Sequence, residues 1–264
     1  MTNALIGFSG FVGTTLMKQA RFDALYRSTT IGDIEGKVFD TVVCAGAPAQ
    51  KWIANREPEA DSRIINSLMA HLKTIQCKTF VLISTVDVFK SPIGVDEDTP
   101  VDETGLHAYG LHRRLLEKFV ANHFPHHLIV RLPGLVGPGL RKNVIFDFLN
   151  ANNLPAIESR GMFQFYPMVN LWNDIRVALD AGLRLVHLTA APITVADVFL
   201  QGFGRSFQQE LAGTPGSYDM HTRHAALFGA AGNYQYSARE TIQAIRAYAQ
   251  SEPLALKPAP GARP

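Results

Sequence analysis

Three glycines at a fixed spacing, Gly7, Gly10 and Gly13, stand near the start of the chain in the segment Gly7-Phe8-Ser9-Gly10-Phe11-Val12-Gly13. They follow a short apolar run, Ala4 to Gly7, and open a stretch of helical spacing from Phe11 to Gln19, with Val12, Leu16 and Met17 on one side. In a strand–turn–helix this spacing suits pyrophosphate binding. Gly7 permits the tight turn, Gly10 lets the backbone approach a pyrophosphate, and Gly13 lets the helix pack closely on the sheet. The N–H groups of Ser9, Gly10, Phe11, Val12 and Gly13, at the positive end of the helix dipole, then face the phosphates. The segment predicts a site for NAD or NADP.

Two positions address the choice between those cofactors. Arg27 and Ser28 end the second apolar run, where a guanidinium can pair with a 2′-phosphate, and Arg27 thereby favours NADP. Asp33, twenty residues after Gly13, can instead accept a hydrogen bond from a 2′-hydroxyl and would favour NAD.

A second pair has chemical spacing. Tyr109 and Arg113 lie four residues apart in an amphipathic stretch, so both can address one ligand from one helix face. A tyrosine at its ordinary pKa of about 10 is a poor base at neutral pH, and a fixed cation beside it favours the phenolate. Thr85, at the end of a strand-like run, and Asp87, two residues on, are further polar candidates.

The elements that would position these residues alternate along the first half of the chain. Apolar runs at Ala4–Gly7, Ala24–Tyr26, Asp40–Ala45, Thr79–Ser84 and His127–Leu132 read as strands. Between them, Glu57–Ile75 and Tyr109–Phe124 read as helices. Their inward faces are expected to carry Ile64, Ile65, Leu68, Leu72 and Ile75 in the first, and Leu111, Leu115, Leu116, Phe119 and Val120 in the second. Near-continuous apolar strands alternating with helices predict an α/β fold: a Rossmann-type, doubly wound parallel sheet covered on both faces. After Pro133 the pattern loosens. Val144–Leu149, Asp174–Leu183, Val195–Leu200 and Arg239–Ala249 have helical spacing, Phe163–Val169 reads as extended, and Leu185–Leu188 as a strand returning to the sheet. Residues 1–140 are therefore expected to form the NAD(P)-binding domain and 141–251 a small C-terminal substrate lobe, with 252–264, rich in proline, a flexible tail.

In this order the glycine turn, Cys44-Ala45-Gly46-Ala47-Pro48, Ile83-Ser84-Thr85-Val86-Asp87-Val88-Phe89, Tyr109-Gly110-Leu111-His112-Arg113 and Arg131-Leu132-Pro133-Gly134-Leu135-Val136-Gly137-Pro138-Gly139 resemble the extended short-chain dehydrogenase/reductase family. The likeness is to its epimerase/dehydratase and sugar-nucleotide reductase branch. It covers residues 1–140 well and is loose beyond. The resemblance implies that Tyr109 is the general acid/base and Thr85 the hydroxyl that orients the carbonyl. It also implies that Arg113 stands where the family has a lysine that tunes the tyrosine. Ala45, Gly46, Ala47, Pro133 and Gly134 would line the cofactor, and Asp87, Asn143, Phe165 and Tyr166 the substrate. The implied activity is an NAD(P)-dependent oxidoreductase or epimerase acting on a carbohydrate or nucleotide sugar, in a possible homodimer paired through the Tyr109 helix. Arginine for lysine is not a conservative exchange, so a non-catalytic NAD(P)-binding sensor or scaffold is the alternative.

Other function classes find no support. The chain has 264 residues, 47% hydrophobic and 18% charged, with a formal net charge of +2 and scattered basic residues, which gives no electrostatic case for nucleic acid or an anionic membrane. No apolar run approaches the roughly 20 residues that span a bilayer, and no signal-peptide pattern opens the chain, so a cytoplasmic protein is expected. Cys44 and Cys77 read as buried hydrophobes in a reducing compartment. No metal is expected: His107, His112, His126 and His127 lack ligand spacing, and His221 and His224 lie three apart in an expected helix without further ligands. There is no Gly-x-Ser-x-Gly elbow and no Walker-type loop.

Overall fold

The computed structural model describes residues 2–253; most of the expected tail, 254–264, lies outside the described residues. Its first half supplies strands β1 (Asn3–Ile6), β2 (Ala24–Tyr26), β3 (Val38–Cys44), β4 (Gln76–Thr85), β5 (Ile93–Val95) and β6 (His127–Leu132). Helices α1 (Phe11–Gln19), α2 (Lys51–Arg56), α3 (Pro58–Leu72) and α4 (Ala108–His123) connect them. The remainder comprises β7 (Gly134–Val136), α5 (Val144–Asn150), β8 (Met162–Phe163), β9 (Phe165–Pro167), α6 (Leu171–Asp180) and β10 (Leu185–His187). It ends with β11 (Ile193–Thr194), α7 (Val195–Asp197) running into a π-helical turn over Val198–Gly202, β12 (Asp219–Met220) and α8 (Ala238–Ser251).

Six strands form one parallel sheet in the order β10-β6-β4-β3-β1-β2. Strand order reverses at β1 and β3, and the crevice outside their carboxyl ends is where open parallel sheets of this kind bind ligands. Val42, Val43 and Cys44 of β3 and all six residues of β6 are buried, as parallel strands covered on both faces require. One face packs under α3 and α4 through Ile65, Leu68, Leu72, Leu116 and Val120. The other packs under α1 and α6 through Leu16, Leu171, Ile175 and Ala178. A separate cluster, including Ile145, Phe165, Val198 and Ile245, is the core of the C-terminal part. There α8 starts on a capping box in which Ser237 and Glu240 satisfy each other's backbone N–H groups.

Several expectations need correction. Ile64 and Leu115 face outward: α3 buries Asp61, Ile65, Leu68 and Leu72, and α4 turns Tyr109, His112, Arg113, Leu116, Glu117 and Val120 inward. The apolar count is misleading there: His112, Arg113 and Glu117 are polar or charged and are paired with Asp61 and Arg131, partners that periodicity does not reveal. His221 and His224 do not lie in a helix; they follow β12, and His221 Nε2 pairs with Asp219 at 3.2 Å. The extended run at Phe163 ends at Pro167 in a 3₁₀ turn over Met168–Asn170, and α6 begins at Leu171. Short strands β5, β7, β11 and β12 and helix α2 carry too little pattern to be read from sequence.

Candidate active site

The glycine turn sits between the carboxyl ends of β1 and β3. Gly7 has φ +84°, and a Cβ there would run into the Ala45 carbonyl, so the turn requires glycine. A Cβ on Gly13 would strike the Gly7 carbonyl, which is the close approach of α1 to the turn. Gly10 differs. The nearest atom to its Cβ position is the Gly7 carbonyl oxygen at 3.5 Å, so nothing in the protein demands glycine there. Gly10 is the N-cap of α1, no side chain caps the helix, and its first turn holds no acidic residue. An uncapped helix start with open space before it fits a pyrophosphate. Ser9 is exposed, and Phe11 and Val12 are half-buried beside it.

Arg27 and Ser28 are exposed immediately after β2, where a ribose bound to this turn would end; Asp33 is exposed further on, in a 3₁₀ turn over Ile31–Ile34. Ala45, Gly46 and Ala47 are half-buried after β3. Pro133 is buried, and Gly134 accommodates the Gln164 carbonyl and the Phe165 ring in the β7–β9 pairing.

Thr85, Tyr109, Arg113 and Asp87 converge. Thr85 ends β4, and its hydroxyl accepts the Asp87 N–H at 3.1 Å. Tyr109 opens α4, held by Asn55 Oδ1, which accepts its N–H at 2.9 Å. A Cβ on Gly110 would strike the Asp87 carbonyl, so that glycine brings Tyr109 against the strand end. Burial pushes the Tyr109 phenol pKa above its ordinary value, and the Asp87 carboxylate adds to this. Arg113, a hydrogen bond with Thr85 and the Lys51 charge oppose it without prevailing.

Arg113 is no part of a solvated face: its side chain is 3% exposed. The guanidinium donates to the Asp61 carboxylate and to the Pro48 carbonyl, and its face lies 4.1 Å from the centre of the Tyr109 ring. His112 Nδ1 donates to the same Asp61 oxygen at 2.7 Å. Arg113 therefore acts on Tyr109 through charge at the ring face, its terminal N–H groups being paired with Asp61 and Pro48.

Four groups at the site escaped the sequence reading. Lys51, at the start of α2, donates to Asp87 Oδ1 at 2.7 Å and to the Tyr218 hydroxyl at 3.2 Å, and Tyr218 donates to the same Asp87 oxygen at 3.0 Å. Although burial disfavours the charged amine, Asp87 and then Tyr218 hold the Lys51 pKa above its usual value. His107 caps α4: its Nδ1 accepts the Gly110 N–H at 3.0 Å, and burial together with Lys51 lowers its pKa. Lys142 donates to the Ala49 carbonyl. No sequence motif marks these residues, because they come from four separate segments that only the fold brings together.

Three expected substrate contacts are engaged elsewhere. Tyr166 is fully buried and donates to Asp174 Oδ2 at 2.6 Å, and Phe165 lies in the C-terminal core. The resemblance implies substrate contacts at both, yet they are core. Asn143, at φ +91°, caps α5 by accepting the Ile145 N–H at 3.0 Å and donates to the Leu135 carbonyl at 2.8 Å.

No protein-family model matches the sequence, and no curated protein sequence matches it significantly. Solved structures do match its fold. A dTDP-4-dehydrorhamnose reductase from Clostridium acetobutylicum is 15% identical, over 95% of this chain and 99% of its own, at a TM-score of 0.70. RMD from Pseudomonas aeruginosa, solved with NADPH, is 15% identical over 95% and 99%, at 0.69. A UDP-glucose 4-epimerase from Thermotoga maritima, solved with UDP-glucose, is 14% identical over 95% and 98%, at 0.66. The chain thus has the Rossmann-type α/β fold of nucleotide-sugar reductases and epimerases, over nearly the whole length of each. Among the described residues no helix is long and apolar enough to cross a membrane.

Proposed function

We propose that the protein is an NAD(P)-dependent oxidoreductase that reduces a carbonyl of a carbohydrate or nucleotide-linked sugar, or epimerises such a sugar through one. The observation that carries this reading is the meeting of Tyr109 with Thr85 at the strand ends, in the crevice opened by the glycine turn. The turn from Gly7 to Gly13 would hold the pyrophosphate, Arg27 and Ser28 the adenine ribose, and Ala45–Ala47 with Pro133 the rest of the dinucleotide. Exposed Arg27 at the β2 end favours NADP. The bound nicotinamide would exchange hydride with a sugar carbon.

The protein's own part is orientation and proton transfer. Tyr109, its pKa raised by burial, keeps its proton at neutral pH and is suited to donate it to a carbonyl oxygen. Thr85 holds the same oxygen in place, and the Lys51–Asp87–Tyr218 cluster fixes the turn that carries Thr85's neighbour.

Titration with NADPH and NADH, followed by turnover assays on a panel of 4-keto sugar nucleotides, tests the reading. NADPH is expected to bind more tightly and at least one ketone to be reduced. Tight binding with no turnover across the panel would leave a cofactor-binding protein that is not this enzyme.

A further inference from the structure

Among the described residues the crevice gathers three cations, Lys51, Arg113 and Lys142, against two carboxylates, Asp61 and Asp87. Arg113 is neutralised by Asp61, and Lys51 by Asp87. Lys142 makes no ion pair among the described residues; its amine rests on a single peptide carbonyl, that of Ala49. The neighbouring carbonyl, Pro48, is held by Arg113. Two cations from different segments therefore grip consecutive carbonyls of the loop that follows β3, beside the glycine turn. An ammonium group has three donors, so two remain for another acceptor.

The backbone that carries Lys142 is fixed. Asn143, the next residue, is bonded to the Leu135 carbonyl on one side and caps α5 on the other. The lysine stem thus starts from a set point after β7 and reaches across the crevice to the β3 side. We propose that Lys142 binds an oxyanion of the ligand that occupies this crevice, an assignment that rests on the dinucleotide-dependent reading above. Lys142 is exposed, yet partial burial and the Arg113 cation lower its pKa, and the attraction of Asp87 does not offset them. A phosphoryl or carboxylate oxygen beside the amine would remove the imbalance. Such an oxygen can belong to the dinucleotide or to the second ligand.

Dissociation constants separate these sources. NADPH is titrated into the ligand-free protein, and UDP-glucose into the NADPH-loaded protein, for the wild type, Lys142→Gln and Lys142→Arg. A thermal melt without ligand verifies that the variants fold. Lys142→Gln is expected to weaken one of the two ligands by about tenfold, most strongly at low salt, while Lys142→Arg stays within roughly threefold of the wild type. Weakened NADPH places the oxyanion in the dinucleotide; weakened UDP-glucose alone places it in the second ligand. Wild-type constants in Lys142→Gln for every ligand that the wild type binds would overturn the inference and leave the amine a latch on Ala49. Failure of the wild type to bind NADPH would overturn the proposed function, and this assignment with it.

Discussion

Arg113 lies over the Tyr109 ring, its guanidinium carbon 4.1 Å from the ring centre and one helical turn along α4. Asp61 and the Pro48 carbonyl fix the guanidinium in that position. Its planar fork allows a contact over the ring and two divergent hydrogen bonds at once, and an ammonium group does not reproduce both.

Arg113→Lys should therefore destabilise the fold by about 1–3 kcal/mol, through the lost bonds to buried acceptors. Asp61→Ala should cost more, roughly 3–5 kcal/mol, because it strands the Arg113 charge and removes the His112 partner as well. Urea unfolding of both variants checks the order. A wild-type midpoint for Arg113→Lys would show that the guanidinium shape is immaterial.

Tyr109→Phe removes the proton donor and leaves the helix start intact. Turnover should fall by about 10²–10⁴-fold with dinucleotide binding unchanged. The direction of the Tyr109 shift also fixes a pH profile. Its pKa lies above the ordinary value of about 10, so the acid form persists through neutral and mildly alkaline pH, and reduction should show no loss from this group across that range. A fall centred near neutral pH that disappears in Tyr109→Phe would contradict the assignment.

The parallel sheet and the glycine turn were legible because each is local: β-branched runs, helical spacing and a fixed glycine triplet. Tyr109 and Thr85 came from resemblance and lie together in the fold. Lys51, His107, Lys142 and Tyr218 were not legible, since each is an isolated polar residue whose role depends on segments distant in sequence. Tyr166 and Phe165 misled for the opposite reason. The resemblance places them at the substrate, while the hydroxyl of Tyr166 has a buried carboxylate to satisfy it and Phe165 packs in the C-terminal core.

Beneath the site, Glu117 accepts from Arg131 Nε at 2.9 Å and from Ser84 at 2.6 Å, and Arg131 reaches His187 at 3.3 Å. Burial, together with the Arg131 charge, lowers the His187 pKa to about 4 despite the attraction of Glu97. The unfolded chain takes up this proton near pH 6.5 and the folded one only near 4, so His187 contributes stability that is full above pH 6.5 and lost as pH falls towards 4. The total is on the order of 3 kcal/mol. Unfolding free energies measured from pH 7 to 4 should decline along this window, and His187→Gln should flatten the decline. An unchanged slope in that variant would place the acid sensitivity elsewhere.

The glycine triplet separates ligand binding from folding. At Gly13 an added side chain meets the Gly7 carbonyl, a backbone atom that cannot swing away, so Gly13→Val should destabilise the protein by several kcal/mol and lose binding only as a consequence. At Gly10 the same valine points into open space, and the N-cap geometry, φ −79° and ψ 171°, is extended backbone that valine readily adopts. Gly10→Val should accordingly melt within a few degrees of the wild type, yet fail to bind NADPH, because its methyl groups occupy the space before the uncapped start of α1. Calorimetric melts and NADPH titration of the two variants make the comparison. A folded Gly10→Val that still binds NADPH would mean that the pyrophosphate does not lie on this turn, and the dinucleotide reading of the crevice would fall with it.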